Sequence, residues 1–184
     1  MNLTVLSLLS LPALFVLMVI GCGGGSPEAD TESQPRPRLY TDRPDAQDKD
    51  IEIAAGAPGT LMGWEVTASF AEAAKAVGTF EEAGQGKHFV VLNVIVKRVG
   101  DKLDNLLGQN FFNSEFSLQT PAGQVADPSM SSKAPMLVPG DMVSGEQVEG
   151  YLTYEVPAES GMHYLLFKPL KFDADRLVWG IEIP

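Results

Sequence analysis

The chain has 184 residues, a net charge of -11, two histidines and one cysteine. An excess of carboxylates is repelled by nucleic acid and by anionic lipid headgroups, so neither is expected as a ligand. A lone cysteine excludes an intrachain disulfide, so stability must come from a hydrophobic core, and the apolar content of 45% is that of a globular domain.

Residues 3–20 are almost wholly apolar and uncharged, broken by Thr4, Ser7, Ser10 and Pro12, and they end at Val19-Ile20-Gly21-Cys22. An apolar run closing on small residues is the pattern of a cleaved secretory signal. Val-Ile-Gly-Cys also resembles the bacterial lipobox. That resemblance implies cleavage between Gly21 and Cys22 and acylation of the Cys22 thiol, so that two or three acyl chains anchor the protein. Anchoring by more than one chain is stable, whereas a single chain holds only marginally. The leader departs from the usual pattern in lacking Lys or Arg near Met1. Two other readings stay open: an uncleaved membrane helix of borderline length, which Pro12 and the missing flanking cations disfavour, and an ordinary apolar cysteine. Residues 1–21 are therefore expected to be a signal peptide. The body of the protein is expected on the extracytoplasmic face of a bacterial cell membrane or outer membrane.

Residues 22–50 turn to Gly, Ser, Pro and charge, as in Gly23-Gly24-Gly25-Ser26-Pro27 and Gln34-Pro35-Arg36-Pro37-Arg38. So few apolar residues cannot offset the entropy of ordering the backbone, which predicts a disordered tether. About 28 residues of flexible chain reach roughly 30 Å. Asp42, Asp45, Asp48 and Asp50 lack the spacing of a calcium loop and are expected to be a solvated acidic run.

Residues 51–184 are expected to form the folded domain. Met62, Trp64, Val66, Ala68 and Phe70 alternate with Gly63, Glu65, Thr67 and Ser69, the period-two signature of a half-buried strand. Residues 71–77 favour a helical turn or two. The segment from His88 to Val99 is the most apolar strand, with Phe89, Val91 and Ile95 on one face and Val90, Leu92, Val94 and Val96 on the other. Apolar residues on both faces place it centrally. Phe111, Phe112, Phe116 and Leu118 supply another strand, and Val125 begins a short edge strand that Pro128 ends. Pro139-Gly140-Asp141 predicts a turn. In the strand that follows, Val148, Leu152, Tyr154 and Val156 point inward and Tyr151 outward. Residues 164–167 and 177–183 complete seven to nine short strands without a long amphipathic helix. This is the pattern of an all-β, immunoglobulin-like antiparallel sandwich.

Gly86-Lys87-His88-Phe89-Val90-Val91-Leu92-Asn93-Val94-Ile95-Val96-Lys97 resembles the central strand of the domain of unknown function 4352. Phe116-Ser117-Leu118-Gln119-Thr120-Pro121-Ala122-Gly123 is similar to a short strand of that family. Leu137-Val138-Pro139-Gly140-Asp141, Gly145 and the segment from Gly150 to Pro157 resemble its Leu-x-Pro-Gly, glycine, strand, Val-Pro order. The resemblance covers roughly residues 60 to 184 and departs at Arg98-Val99-Gly100, where the family usually ends its strand on asparagine. It implies an immunoglobulin-like sandwich carried by bacterial secreted proteins and lipoproteins, and it implies no activity.

No nucleophile elbow, phosphate loop, dinucleotide fingerprint or zinc-helix motif occurs in the sequence. His88 and His163 each open a strand and could reach one end of a sandwich, where a nearby Asp could complete a metal site. Three or more ligands are needed, so two solvent-exposed rim histidines are the simpler expectation. Asp101 with Asp104, and Asp173 with Asp175, read as turn formers rather than acid–base pairs. Trp64 and Trp179 read as core. Tyr151 is the one candidate for a surface contact. Three roles compete: a non-enzymatic, lipid-anchored binding or accessory domain for an envelope protein or polymer; a metal-binding or metal-dependent protein using His88 and His163; and a structural envelope spacer. The first is the leading expectation, with no cofactor and a monomeric chain.

Overall fold

The computed structural model describes residues 38–78, 81–100, 110–130, 132–169 and 175–184. The leader, Gly21, Cys22 and the tether up to residue 37 lie outside the described residues, as do Asp101, Asp104 and Asp173. Two sheets face one another. In one, β6 (Lys87–Arg98) lies between β11 (Gln147–Pro157) and β3 (Trp64–Ala74), and β2 (Gly59–Leu61) pairs with the outer side of β3. The other runs β1 (Asp50–Ile53), β13 (Arg176–Ile183), β12 (Gly161–Phe167), β8 (Phe116–Gln119) and β9 (Val125–Ala126). Two short pairs lie outside them: β4 (Ala76–Val77) with β5 (Glu81–Glu82), and β7 (Asn110–Phe111) with β10 (Gly140–Asp141).

Five strands and four make the immunoglobulin-like β-sandwich that the alternation predicts. Among the named strands pairing is antiparallel except where β1 runs parallel to β13, and an isolated parallel bridge joins Met136 to Tyr151. The central position of β6 follows from its composition. Val90, Leu92, Val94 and Val96 are fully buried between the sheets, while Phe89 and Val91 are buried on the outer face beneath Val77. Each fully buried Val or Leu contributes about 1.5–3 kcal/mol relative to exposure, so both faces of one strand hold the fold. Val66, Ala68, Leu152, Tyr154, Val156, Leu165, Phe167, Leu177 and Trp179 complete the main core. Trp64 and Trp179 are buried as expected, and Trp179 Nε1 donates to the Ala57 carbonyl at 2.9 Å. Gly150 is obligatory for a steric reason: a Cβ there would sit 2.4 Å from the Leu137 backbone nitrogen.

Several expectations change. The segment predicted as a helical turn continues β3 to Ala74, pairing with β6 across a bulge between Phe70 and Glu72. Hydrogen bonding to a central strand overrides the weak helix preference of Ala and Glu. Met62 belongs to the turn before β3, with φ of +50°, and does not share the strand face. The Phe-rich segment breaks into β7 and β8 around a 3-10 turn, Asn113–Glu115, and Gly140–Asp141 pairs as β10 where a turn is expected.

The largest change concerns the acidic segment. Residues 38–50 are folded, and Asp50 is buried rather than solvated. Its carboxylate accepts from the buried Arg43 guanidinium, from Arg176 and, at 2.6 Å, from the Gln47 backbone N–H. Arg176 Nη2 also donates to the Asp45 carbonyl at 2.8 Å. Tyr40 stacks edge-on against Tyr164, and its hydroxyl donates to the Ile53 carbonyl at 2.6 Å. The Asp50 carboxylate thus serves both the buried Arg43 and Arg176 and ties this polar stretch to β13.

Candidate functional site

A cleft of about 400 Å³ opens along one lateral side of the sandwich, between β9 at the edge of one sheet and β11 at the edge of the other. Thr120, Val125 and Asp127 line one lip; Lys87, Glu155 and Pro157 line the other. The volume lies in the range of ordinary ligand pockets.

Each lip carries one residue whose outward backbone groups are unpaired, since on β11 Thr153 is bonded to Ser129 and Pro157 has no N–H and accepts from Glu159 N–H at 2.8 Å. Antiparallel strands turn alternate residues' N–H and C=O groups toward one neighbour and the rest toward the other. On β11, Tyr151 N–H donates to the Pro135 carbonyl and the Tyr151 carbonyl accepts from Leu137, both on the side away from β6. Glu155 has the same parity, so its backbone groups also point away from β6 and toward the cleft. On the other lip, Thr120 N–H donates to the Gln124 carbonyl at 2.8 Å. The groups of Val125 therefore point away from β8. Among the described residues, neither Glu155 nor Val125 has a backbone partner on its outer side.

The side chains here are mixed in character. The Glu155 carboxylate accepts from Gly84 N–H at 2.9 Å and lies 3.8 Å from Lys87 Nζ. Val125 leaves 58% of its surface exposed. Asp127 is exposed and close enough to Tyr154 to act on it electrostatically. Burial first, and Asp127 second, push the Tyr154 phenol well above its ordinary range. Tyr154 Oη and Gln119 Oε1 are both buried without a hydrogen-bond partner among the described residues.

His88 and His163 do come together at one end of the sandwich, as their strand positions predict, close enough that His163 lowers the His88 pKa. They are not two rim histidines. His163 is 0% exposed, because it occupies the inward-facing parity of β12 shared with Leu165 and Phe167. Its Nδ1 lies 3.1 Å from the Gly161 carbonyl, to which it donates, and its Nε2 is buried without a partner among the described residues. His88 is half-buried. Burial, then His163 and Lys75, lower its pKa, while Glu159 opposes them. Among the described residues no three His, Cys, Asp or Glu side chains could hold a metal together.

Tyr151 faces outward from its sheet as expected, yet it is half-buried. Lys133 Nζ sits 5.4 Å over its ring, and Lys133 also pairs with Glu72 at 2.9 Å. Ser129, Lys133, Pro135 and Leu137 thus cover the tyrosine and the β11 edge beside it. The cleft is not apparent in sequence reasoning, because residues 120–127 and 155–157 meet only in the folded chain. The one available signal was Val125, an apolar residue on a short strand stopped by Pro128.

The architecture matches known β-sandwich structures. It is similar to the candidate lipoprotein ycdA of Bacillus subtilis, with a TM-score of 0.53 and 14% identity over 68% of this chain and 38% of ycdA. It is also similar to MPT63, a secreted protein of Mycobacterium tuberculosis, with a TM-score of 0.53 and 15% identity over 71% of this chain and 97% of MPT63. At these identities the likeness defines a class, the immunoglobulin-like β-sandwich. The chain spans well under half of ycdA. No protein-family model and no curated protein sequence matches the chain.

Proposed function

We propose that this chain is a non-enzymatic binding or accessory domain, lipid-anchored through Cys22 at the extracytoplasmic face of a bacterial membrane and related to the domain of unknown function 4352. The observation that carries the binding role is the open lateral cleft, where exposed Val125 and the Asp127 carboxylate, unpaired among the described residues, face solvent. The signal-like leader ending at Val19-Ile20-Gly21-Cys22 supports the address, and the secreted and candidate lipoprotein proteins of the same fold agree with it. Signal cleavage leaves Cys22 as the acylated first residue, and the polar segment after it spaces the domain from the lipid.

Two experiments test this reading. Metabolic labelling with a palmitate analogue is expected to mark the full chain and to vanish in Cys22→Ser; label that survives the substitution contradicts the anchoring. A photo-crosslinking side chain at Val125 is expected to capture a component of the envelope in living cells, and the same group at exposed Glu182 is expected to capture none. Equal capture at both sites removes the cleft from the reading.

One observation favours a second reading, metal binding. Two histidine Nε2 atoms lie buried and unpartnered in neighbouring positions. Two nitrogens fall short of the usual ligand count. Stoichiometric zinc in protein purified without an affinity tag, lost on His163→Gln, would establish it.

A further inference from the structure

Resting on the metal-binding reading above, we propose that His88 and His163 hold a single cuprous ion, Cu(I), between the two sheets, each through Nε2, with the Glu159 carboxylate as its countercharge.

The placement of the rings supplies the first part of the argument. His88 shares the inward parity of Val90 and Leu92 on β6, and His163 shares that of Leu165 and Phe167 on β12, so the rings meet from opposite sheets. Three side-chain atoms at this end are buried without a hydrogen-bond partner among the described residues: His88 Nε2, His163 Nε2 and Glu159 Oε1. Both His163 and Glu159 act electrostatically on His88, which puts the three side chains in one neighbourhood. Buried polar atoms are almost always paired, so three orphans in one place point to a bound group.

His163 is also oriented as metal ligands are. Its Nδ1 donates to the Gly161 carbonyl at 3.1 Å, which in the neutral ring leaves the lone pair on Nε2. A histidine that binds metal through one nitrogen ordinarily gives its other N–H to a carbonyl or a carboxylate.

The ligand count selects the metal. Among the described residues no three His, Cys, Asp or Glu side chains could hold one ion together, which disfavours zinc and its tetrahedral set. Cupric copper asks for a square of nitrogen and oxygen ligands, which two rings do not supply. Cuprous copper has a filled d shell, imposes no such geometry and is satisfied by two nitrogens in line. Its single positive charge matches the single carboxylate of Glu159. The Lys75 ammonium, which also acts on His88, is held on the Lys87 carbonyl. His88 is half-buried and His163 fully buried, so the ion enters past His88.

The test titrates full-length protein in detergent micelles, without oxygen, with Cu(I) in competition with the chelator bicinchoninate, and separately with zinc. Equimolar Cu(I) is expected, with the X-ray absorption edge of two-coordinate copper and the outer-shell scattering of imidazole. His163→Gln and His88→Leu are each expected to weaken binding by more than the roughly 10–100-fold that losing an outer-shell partner costs. His88→Met is expected to recover most of the affinity for Cu(I), for which a thioether is a good ligand, and none for zinc. Ag(I), a redox-inert stand-in, is expected to shift the nitrogen-15 resonances of both Nε2 atoms. Copper with three or four ligands, affinity indifferent to His88→Leu, or Nε2 resonances that stay put overturns the proposal. So does a stoichiometry that falls in Cys22→Ser, which would assign the ion to the thiol. Equimolar zinc bound more tightly than Cu(I) keeps the metal-binding reading and sinks this inference alone. Binding of neither metal sinks both.

Discussion

The two lateral sides of this sandwich are built on opposite principles. On one side β1 and β2 close the gap. Gly59 lets β2 approach so tightly that a Cβ would meet Ile53, Leu177 and Trp179 within about 3 Å, Trp179 ties the β1–β2 connection through Ala57, and Arg43, Asp50 and Arg176 lock β1 beside β13. On the other side β9 and β11 face each other without hydrogen bonding, in different sheets, across a cleft. The closed side spends buried charge and aromatic volume on joining the sheets. The open side leaves polar groups unmatched and keeps an apolar residue in water. Fold stability alone gives no reason for the second arrangement, which is why the binding role is placed there.

Substitutions can break or sharpen this contrast. Asp50→Ala strands the buried Arg43 guanidinium and should cost about 3–5 kcal/mol in urea unfolding, the usual penalty for removing one partner of a buried pair. Burial lowers the Arg43 pKa, but an arginine stays charged at any accessible pH, so the penalty has no escape by deprotonation. Trp179→Ala on the same side should cost a similar ~3–5 kcal/mol and also orphan the Ala57 carbonyl. Near the cleft the sign reverses. Tyr154→Phe deletes a buried hydroxyl that has no partner, so it should be neutral or stabilising by about 1 kcal/mol. Asp127→Asn should change stability by no more than ~0.5 kcal/mol, as surface changes do. A large loss there would mean that the carboxylate is structural.

A pH prediction addresses the histidine end. Burial chiefly holds the folded His88 pKa below the ordinary histidine value, so the unfolded chain binds the proton more readily. Stability should therefore be full above about pH 6.5 and fall as pH drops from there through the lowered folded value. His88→Gln should flatten that limb of the urea-midpoint profile and leave the alkaline limb unchanged.

Much of the fold is written in local patterns. The two apolar faces of β6, the inward set on β11 and the short β9 stopped by Pro128 all follow from alternation and proline position, because each depends on residues near in sequence. The errors share the opposite property. Asp50 looks like one of four solvated aspartates until Arg176, 126 residues away in the chain, closes on it and on the buried Arg43 beside it. Residues 71–74 look helical until β6 is seen to offer them hydrogen bonds. His163 looks like a rim residue until the parity of β12 turns it inward. The site belongs to this second class. Its two lips are separated by about thirty residues and carry no motif, since unpaired backbone edges have no residue signature. Tyr151 reads as an outward-facing aromatic, but Lys133, Pro135 and Leu137 cover it from elsewhere in the chain.

Amide hydrogen exchange tests the contrast between the two sides most directly. In the full-length protein the amides of Glu155 and Val125, which have no backbone partner among the described residues, are expected to exchange rapidly. The amide of Ile53, paired in β1 with β13 on the closed side, is expected to exchange slowly. Exchange at Glu155 and Val125 as slow as at Ile53 would contradict an open side opposed to a closed one.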